Sequence, residues 1–263
     1  MLSTAKLVCI LDVVSRLDKP MRTIALNWET AHRHGEAWVS HHRLRYRMFI
    51  ERQRWNVPSY RQLEYDEFDT PAATYILIVD DQNQALGTAR LIPTTRPYMV
   101  EALWPDLVDV ELPHFPSIWE ASRFGCDRDL DARSRRRVVA RLIQGCQEFG
   151  VMNGISRYLG VMPPWIFKHV IAAHGCPVSP LGPTLKLQGH DTEAAFIDVS
   201  PSVLEAVRRR TGLHQTLQAP EASSLVAMPH PLSHSPSLAN DELPLPADQP
   251  IFPGKGTIFA GIS

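Results

Sequence analysis

A chain of 263 residues with 44% apolar and 21% charged side chains can bury a full hydrophobic core, which excludes a wholly disordered protein. Its 27 basic and 28 acidic residues leave a formal charge of -1, so no global field recruits nucleic acid or an anionic membrane, and an electrostatic partner must be met by a local patch. Cys9, Cys126, Cys146 and Cys176 lie far apart with no C-x-x-C pair, which argues against a zinc knuckle or a disulfide framework and fits a reducing cytoplasm.

In chain order, Leu7 to Val14 is apolar but interrupted by Asp12, with no clean cleavage site after it, so neither a signal peptide nor a membrane span is expected. Residues 36–54 set Ala37, Trp38, His41, Leu44, Arg45, Met48 and Phe49 near helical spacing, which predicts a helix presenting Arg45 and Phe49 as an i, i+4 pair. From Asn56 to Ala73, Pro58, Ser59, acidic residues and Pro71 break the pattern, predicting a long exposed functional loop. Tyr75–Val79 and Ala85–Pro93 read as strands joined by a hairpin at 80–84, with Arg90 in the second.

Ser117–Phe124 reads as another strand. Arg133–Gly150 reads as a helix with an apolar stripe of Val138, Val139, Leu142, Ile143, Cys146 and Phe149, ended by Gly150 and Gly154. A strand at Arg157–Met162, a helix at Trp165–His174, strands at Thr184–Gln188 and Ala194–Ser200 and a helix at Pro201–Arg210 follow. This interleaving predicts an α/β fold, a mixed central sheet flanked by helices. Past Leu217 the chain turns rich in Pro and Ser, and residues 218–263 are expected to be a disordered tail.

The chemistry is concentrated between Arg45 and Phe124, in the ordered segments RYRMF, W, EYDEFD, RLIPTT and WEASRF. They supply Arg45, Phe49, Trp55, Glu64, Asp66, Asp69, Arg90, Glu120 and Arg123. Alone, EYDEFD is a solvated acidic loop, and WEASRF is equally a half-buried strand with a surface ion pair. Strict alternation sends Glu120 and Ser122 to one face and Arg123 to the other, so Glu120 and Arg123 serve one pocket only if a bulge or bend intervenes. Phe49 and Trp55 are either core residues or ring faces for a cation. The eleven histidines, His41 and His42 among them, fall in no ligand pattern with Cys or Glu and read as satisfied or exposed. There is no P-loop and no G-x-S-x-G elbow.

Five such segments in one order resemble the acyl-homoserine-lactone synthases, the LuxI-type autoinducer synthases of bacterial quorum sensing, over roughly residues 21–210. The resemblance implies a three-layer α-β-α, GNAT-like catalytic domain over 21–217. Family members begin near Met21, so residues 1–20 are expected to be an extension or an upstream start. It further implies a cytoplasmic enzyme that joins an acyl group, carried as a thioester by acyl carrier protein or coenzyme A, to the amine of S-adenosylmethionine, then closes the lactone and releases 5'-methylthioadenosine. S-adenosylmethionine is then a substrate, and no metal or redox cofactor is expected.

That substrate carries a sulfonium, an ammonium and a carboxylate, so its site must offer both signs of charge. Arg45, Phe49, Trp55, Asp66, Asp69 and Arg90 are expected around it, with Asp66 and Asp69 toward the cationic end and Arg90 and Arg123 on carboxylates, the substrate's or their neighbours'. Glu120, Arg123 and Asp69 are the candidate catalytic residues, with Glu120 as general base, directly or through a water. Val161, Met162, Trp165, Ile166 and Val170 are expected to line the acyl pocket. LGVMPPW lacks the Thr or Ser common in synthases that favour 3-oxo chains. Arg135, Arg136, Arg137 and Arg141, in a cluster opened by Arg133, are either a solvated face or a dock for the acidic carrier or the phosphates of coenzyme A. Replacing Asp69 or Arg123 by alanine is expected to abolish product formation in a folded protein. Two competing readings are a GNAT-type N-acetyltransferase, whose Q/R-x-x-G-x-G/A loop is missing from RFGCDRDLDARSRRR, and a non-catalytic acyl-ligand binder.

Overall fold

The apolar run Thr74–Val79 is buried along its whole length because it is an inner strand with neighbours on both edges and packing on both faces. The computed structural model describes residues 20–187 and 189–218. The extension over 1–20 and the tail over 218–263 therefore lie, but for Pro20 and Gln218, outside the described residues, as does Gln188.

The strands are β1 (Arg22–Asn27), β2 (Ser59–Tyr60), β3 (Leu63–Glu64), β4 (Thr74–Val79), β5 (Ala85–Pro93), β6 (Ile118–Cys126), β7 (Arg157–Met162), β8 (Val178–Pro180), β9 (Leu185–Leu187) and β10 (His190–Asp198). The main sheet runs β1-β4-β5-β6-β7-β10-β8, with β9 also on β10, while β2 and β3 form a separate hairpin. Every pairing is antiparallel except β6 with β7. That parallel pair lasts only from Ile118↔Arg157 to Ala121↔Gly160, after which β6 continues to Cys126 without β7 beside it. The sheet therefore opens between two central strands.

Alternate residues of β4 feed two cores. Ile76 and Ile78 join the core under helix α3 (Ala132–Met152), with Val138, Leu142, Ile143 and Cys146, whereas Tyr75, Leu77 and Val79 join the opposite one, with Tyr98, Met99 and Val100. Met99 and Val100 begin the short helix α2 (Met99–Leu103). The mixed sheet with helices on both faces is the architecture expected from the sequence.

The predicted first helix is α1 (Gly35–Arg45) followed by a π-helical stretch, Tyr46–Arg52, whose wider turn the periodicity did not announce. The loop expected to be exposed contains the β2–β3 hairpin, turned through left-handed Arg61 and Gln62, and at its acidic end the side chains of Glu64, Asp66 and Asp69 are buried while Glu67 is exposed. Asp131 caps α3 by accepting from Arg133 N (2.8 Å) and Ser134 N (3.0 Å). The helix expected at Trp165–His174 is a short turn at Pro164–Ile166, here α4, continued by π and 3-10 turns to His174. The last helix, α5, spans Pro201–Thr211. Strands β1 and β8 and helix α2 had no counterpart among the predicted elements, and β10 starts four residues before the strand predicted at Ala194.

Gly150 does not terminate α3, which runs on to Met152; left-handed Gly154 follows it. Gly150 instead permits close packing, since a Cβ there would sit 2.6 Å from Val199 Cγ1 and 2.8 Å from Tyr158 Oη. Gly150→Ala is expected to destabilise by about 1–3 kcal/mol through overpacking, read as a lower thermal midpoint.

At the outer edge, Glu148 on α3 accepts from Thr216 N, Thr216 Oγ1 and Leu217 N (2.6 Å for the last) and holds the end of the described chain in place. Leu217 bridges Thr23 in parallel, and Gln218 N donates to Thr23 O.

Candidate active site

The site is built on the α2 face of the sheet. Arg90 on β5 and Glu120 on β6 point there by alternation, and Arg123 joins them because β6 carries a bulge: Thr88 pairs with Gly125 and Arg90 with Ser122, so Ala89 faces both Arg123 and Phe124. Arg123 takes a left-handed φ of 52° at that point. The irregularity that one pocket demanded of WEASRF is thus present, and it re-aims a side chain as bulges beside active sites do.

Arg45, Arg90 and Arg123 interlock there with Glu64, Asp66 and Asp69. Glu64 accepts from Arg45 Nε on one oxygen and from Arg123 Nε (3.2 Å) and Nη2 (2.9 Å) on the other. Asp66 bridges Arg90 and Arg123 and also accepts from Phe68 N. Asp69 takes a two-pronged bond from Arg45 (2.7 Å each), a bond from Arg90 (3.0 Å), the Tyr75 hydroxyl (2.6 Å) and Asp66 N (2.9 Å). All six side chains are essentially without solvent exposure.

Burial alone would raise all three carboxyls, but the guanidinium partners win and hold each below the usual carboxylate range: Arg45 and Arg123 for Glu64, Arg90 and Arg123 for Asp66, Arg45 and Arg90 for Asp69. The three carboxylates are therefore ionised, each shared between two arginines. Asp66 and Asp69, read as facing a cationic ligand, are instead committed to arginines, and Arg90 and Arg123 take their carboxylates from neighbours.

Beside the lattice Glu120 is in the opposite situation. One oxygen accepts from Val100 N (2.9 Å), and the other is buried without a partner among the described residues. Burial pushes its carboxyl up to about 7, against the lowering by the Val100 bond and the Arg90 cation. A carboxyl poised near neutrality suits a general base.

Met99 was missed by sequence reasoning, since nothing in PYMV distinguishes it. Its sulfur lies 2.8 Å from Arg90 Nη2 and 3.8 Å from Arg123 Nη1, so of the three guanidinium nitrogens that the carboxylates leave over, two meet a thioether and the third, Arg90 Nε, donates to Ser122 Oγ (3.1 Å). Phe49 and Trp55 are buried and stacked, centroids 4.7 Å apart and planes at 9°. The Arg123 guanidinium lies over Phe49 at 5.4 Å, so the cation on that ring is the protein's own.

The expected acyl-pocket residues sit where β7 leaves β6, on α4 and, for Val170, on the π turn after it. Met162 and Ile166 are buried, Val161 and Val170 partly so, but Trp165 follows Pro163-Pro164 onto the surface and stays 42% exposed. The expected docking arginines also divide. Arg135 is spent on the preceding loop, donating to the carbonyls of Leu130 (2.6 Å) and Arg128 (3.1 Å), whereas Arg136 is exposed and Arg137 and Arg141 are half-buried. His41 and His42 are neither exposed nor fully satisfied: both are buried, with Nε2 unpartnered among the described residues. Among the described residues no group of three His, Cys, Asp or Glu is placed to hold a metal, and no helix is long and apolar enough to cross a membrane.

A mixed sheet that opens between parallel neighbours, flanked by helices and with a buried carboxyl beside the opening, is a GNAT-like α/β fold. The family described as autoinducer synthase matches residues 30–207. The isovaleryl-homoserine lactone synthase of Bradyrhizobium diazoefficiens is 30% identical over 199 residues, 74% of this chain and 87% of that protein. The acyl-homoserine-lactone synthase of Acinetobacter nosocomialis is 28% identical over 162 residues, 59% and 88% of the two chains. Among solved structures, the CoA-dependent acyl-homoserine lactone synthase BjaI with SAM and isopentyl-CoA aligns with a TM-score of 0.70 at 28% identity, covering 76% of this chain and 93% of that one. The synthase LasI aligns with a TM-score of 0.65 at 25% identity, covering 75% and 100%. The chain belongs to the autoinducer synthase family.

Proposed function

We propose that this chain is an acyl-homoserine-lactone synthase of quorum sensing, acylating the amine of S-adenosylmethionine from acyl carrier protein or acyl-CoA. The observation that carries the mechanism is Glu120: a buried carboxyl near neutrality, with one free oxygen, on the strand where the sheet opens. Glu120 takes a proton from the substrate ammonium, directly or through a water, and the freed amine attacks the thioester carbonyl. The C–N bond forms, the C–S bond breaks and the carrier leaves as a thiol. Backbone N–H groups of β6 beyond Ala121, unpaired with β7, stabilise the developing oxyanion. The substrate carboxylate then attacks its own γ-carbon, closing the lactone and expelling neutral 5'-methylthioadenosine. The thioester and the sulfonium are already activated, so the chemistry asks for no metal or redox cofactor.

The lattice serves this by fixing Arg90 and Arg123, whose spare donors at Met99 are the ones open to a substrate carboxylate. Trp55 and Phe49 wall the methionine-derived part, and Val161, Met162, Ile166 and Val170 receive the acyl chain. The catalytic unit is assigned to 21–217 and the reaction to the cytoplasm, where both substrates are made. Incubation with S-adenosylmethionine and a panel of acyl donors, followed by mass spectrometry, is expected to show methylthioadenosine and one dominant lactone. No release with any donor would leave the ligand-binder reading in its place.

The arginine cluster gives a separable pair of outcomes. Arg136→Glu is expected to raise KM for the acyl donor severalfold with an unchanged melting temperature, because an exposed charge steers association. Arg135→Ala is expected to lower the melting temperature, because two loop carbonyls lose their donor.

A further inference from the structure

His42 lies in the last turn of α1, three residues before Arg45, and is wholly buried. Its Nδ1 lies 2.8 Å from the carbonyl oxygen of Glu64. A carbonyl only accepts, so Nδ1 carries the hydrogen. Burial first, then the Arg45 cation, push the imidazolium down to about 4, leaving a neutral ring whose Nε2 is a bare lone pair without a partner among the described residues. The ring stacks on Tyr65 at 3.8 Å and 30° and is enclosed by His41 (3.9 Å), the edge of Trp38 (5.1 Å) and Tyr75 (6.2 Å). A phenyl ring would fill this slot without burying an unpaired nitrogen. What histidine adds is the Nδ1–H donor.

That donor acts on the least constrained part of the site. Glu64 ends a two-residue strand whose ladder is only Ser59↔Glu64 and Tyr60↔Leu63. Ser59, Tyr60, Arg61 and Gln62 are exposed, and the turn passes through two left-handed non-glycine residues. The hairpin has little of its own to fix it, yet the Glu64 carboxylate must lie between Arg45 and Arg123.

We propose that His42 is a positioning residue: by tying the Glu64 carbonyl to α1, its Nδ1–H sets the Glu64 carboxylate, and through it the Arg123 guanidinium, for S-adenosylmethionine. The inference rests on the reading of this site as that substrate's.

The two amide side chains separate the ring nitrogens, since asparagine carries an N–H near the Nδ1 position and glutamine carries one near Nε2. Steady-state KM values for S-adenosylmethionine and for the acyl donor, with thermal unfolding of each variant, are the readouts. His42→Gln is expected to raise KM for S-adenosylmethionine by about tenfold or more, and the donor KM by less than about twofold, while His42→Asn keeps both within about threefold of wild type. Equal behaviour of the two variants overturns the proposal. So does His42→Gln that fails to fold beside a folded His42→Asn, since the bond then serves stability alone. Wild-type protein that releases no methylthioadenosine with any donor removes the functional reading and this inference together, whereas like variants of an active enzyme remove only the inference.

Discussion

Asp69→Ala is expected to cost about 3–5 kcal/mol of folding stability in addition to turnover, because it leaves the buried Arg45 and Arg90 cations short of their shared counter-ion. Against a typical total of about 5–15 kcal/mol this is a large fraction, so activity and fold fall together. That differs from the expectation that sequence alone supported, of a dead but intact enzyme. The difference comes from burial: an acidic side chain at the mouth of a solvent-filled site can be lost cheaply, whereas one with both oxygens occupied by arginines, a tyrosine and an amide cannot. Urea unfolding of Asp69→Ala and Asp69→Asn, beside methylthioadenosine release, measures both effects. A variant with wild-type stability would show that the lattice re-pairs without Asp69.

Glu120→Gln is expected to be the complementary case, a folded protein whose kcat falls by about 10²–10⁴-fold, the usual worth of a positioned proton acceptor. Glutamine is isosteric and keeps a carbonyl oxygen for Val100 N, so little packing is lost. In the wild-type enzyme kcat/KM is expected to rise with pH through about 7, because the base must be ionised to act. Stability should run the other way. The native carboxyl holds its proton up to about 7 while the unfolded one releases it near 4.5, so across that window the native state binds more protons and loses stability as pH rises. Glu120→Gln removes this contribution. A thermal midpoint that falls between pH 5 and 8 in the wild type, but less steeply in the variant, checks the assignment independently of the rate. Identical slopes and unchanged kcat would take Glu120 out of the chemistry.

What the sequence disclosed, and what it withheld, follow from the range of the interactions involved. The β4–β5 hairpin, strand β7 and the α3 stripe are set by local periodicity and were readable to within a few residues. The bulge at Arg123 was readable too, as a requirement: Glu120 and Arg123 meet one pocket only if alternation fails between them. Which carboxylate takes which arginine was not readable, because pairings between Glu64 and Arg123 or Asp69 and Arg45 span long separations and any balanced assignment satisfies the composition. The same reason hid His42, whose hydrogen-bond partner is a backbone oxygen 22 residues away, and Met99, whose neighbours come from β5 and β6. The exposed position of Trp165 was lost to a different cause, since it follows Pro163-Pro164 into a three-residue helical turn rather than a regular helix.

The Glu148 clasp has a consequence for behaviour outside the active site. An eight-stranded sheet invites neighbours to add on at either margin, the usual start of cross-chain stacking. Here the hydrogen-bonding groups of Thr23 on the outermost strand are partly taken by the segment around Leu217 and Gln218, and the far margin, beyond β10, is covered by two three-residue strands, β8 and β9, the first closed by Pro180, which cannot donate. Loss of one buried carboxylate on α3 would therefore uncover a seam for intermolecular pairing, and its first symptom would be precipitation during overproduction rather than failed catalysis.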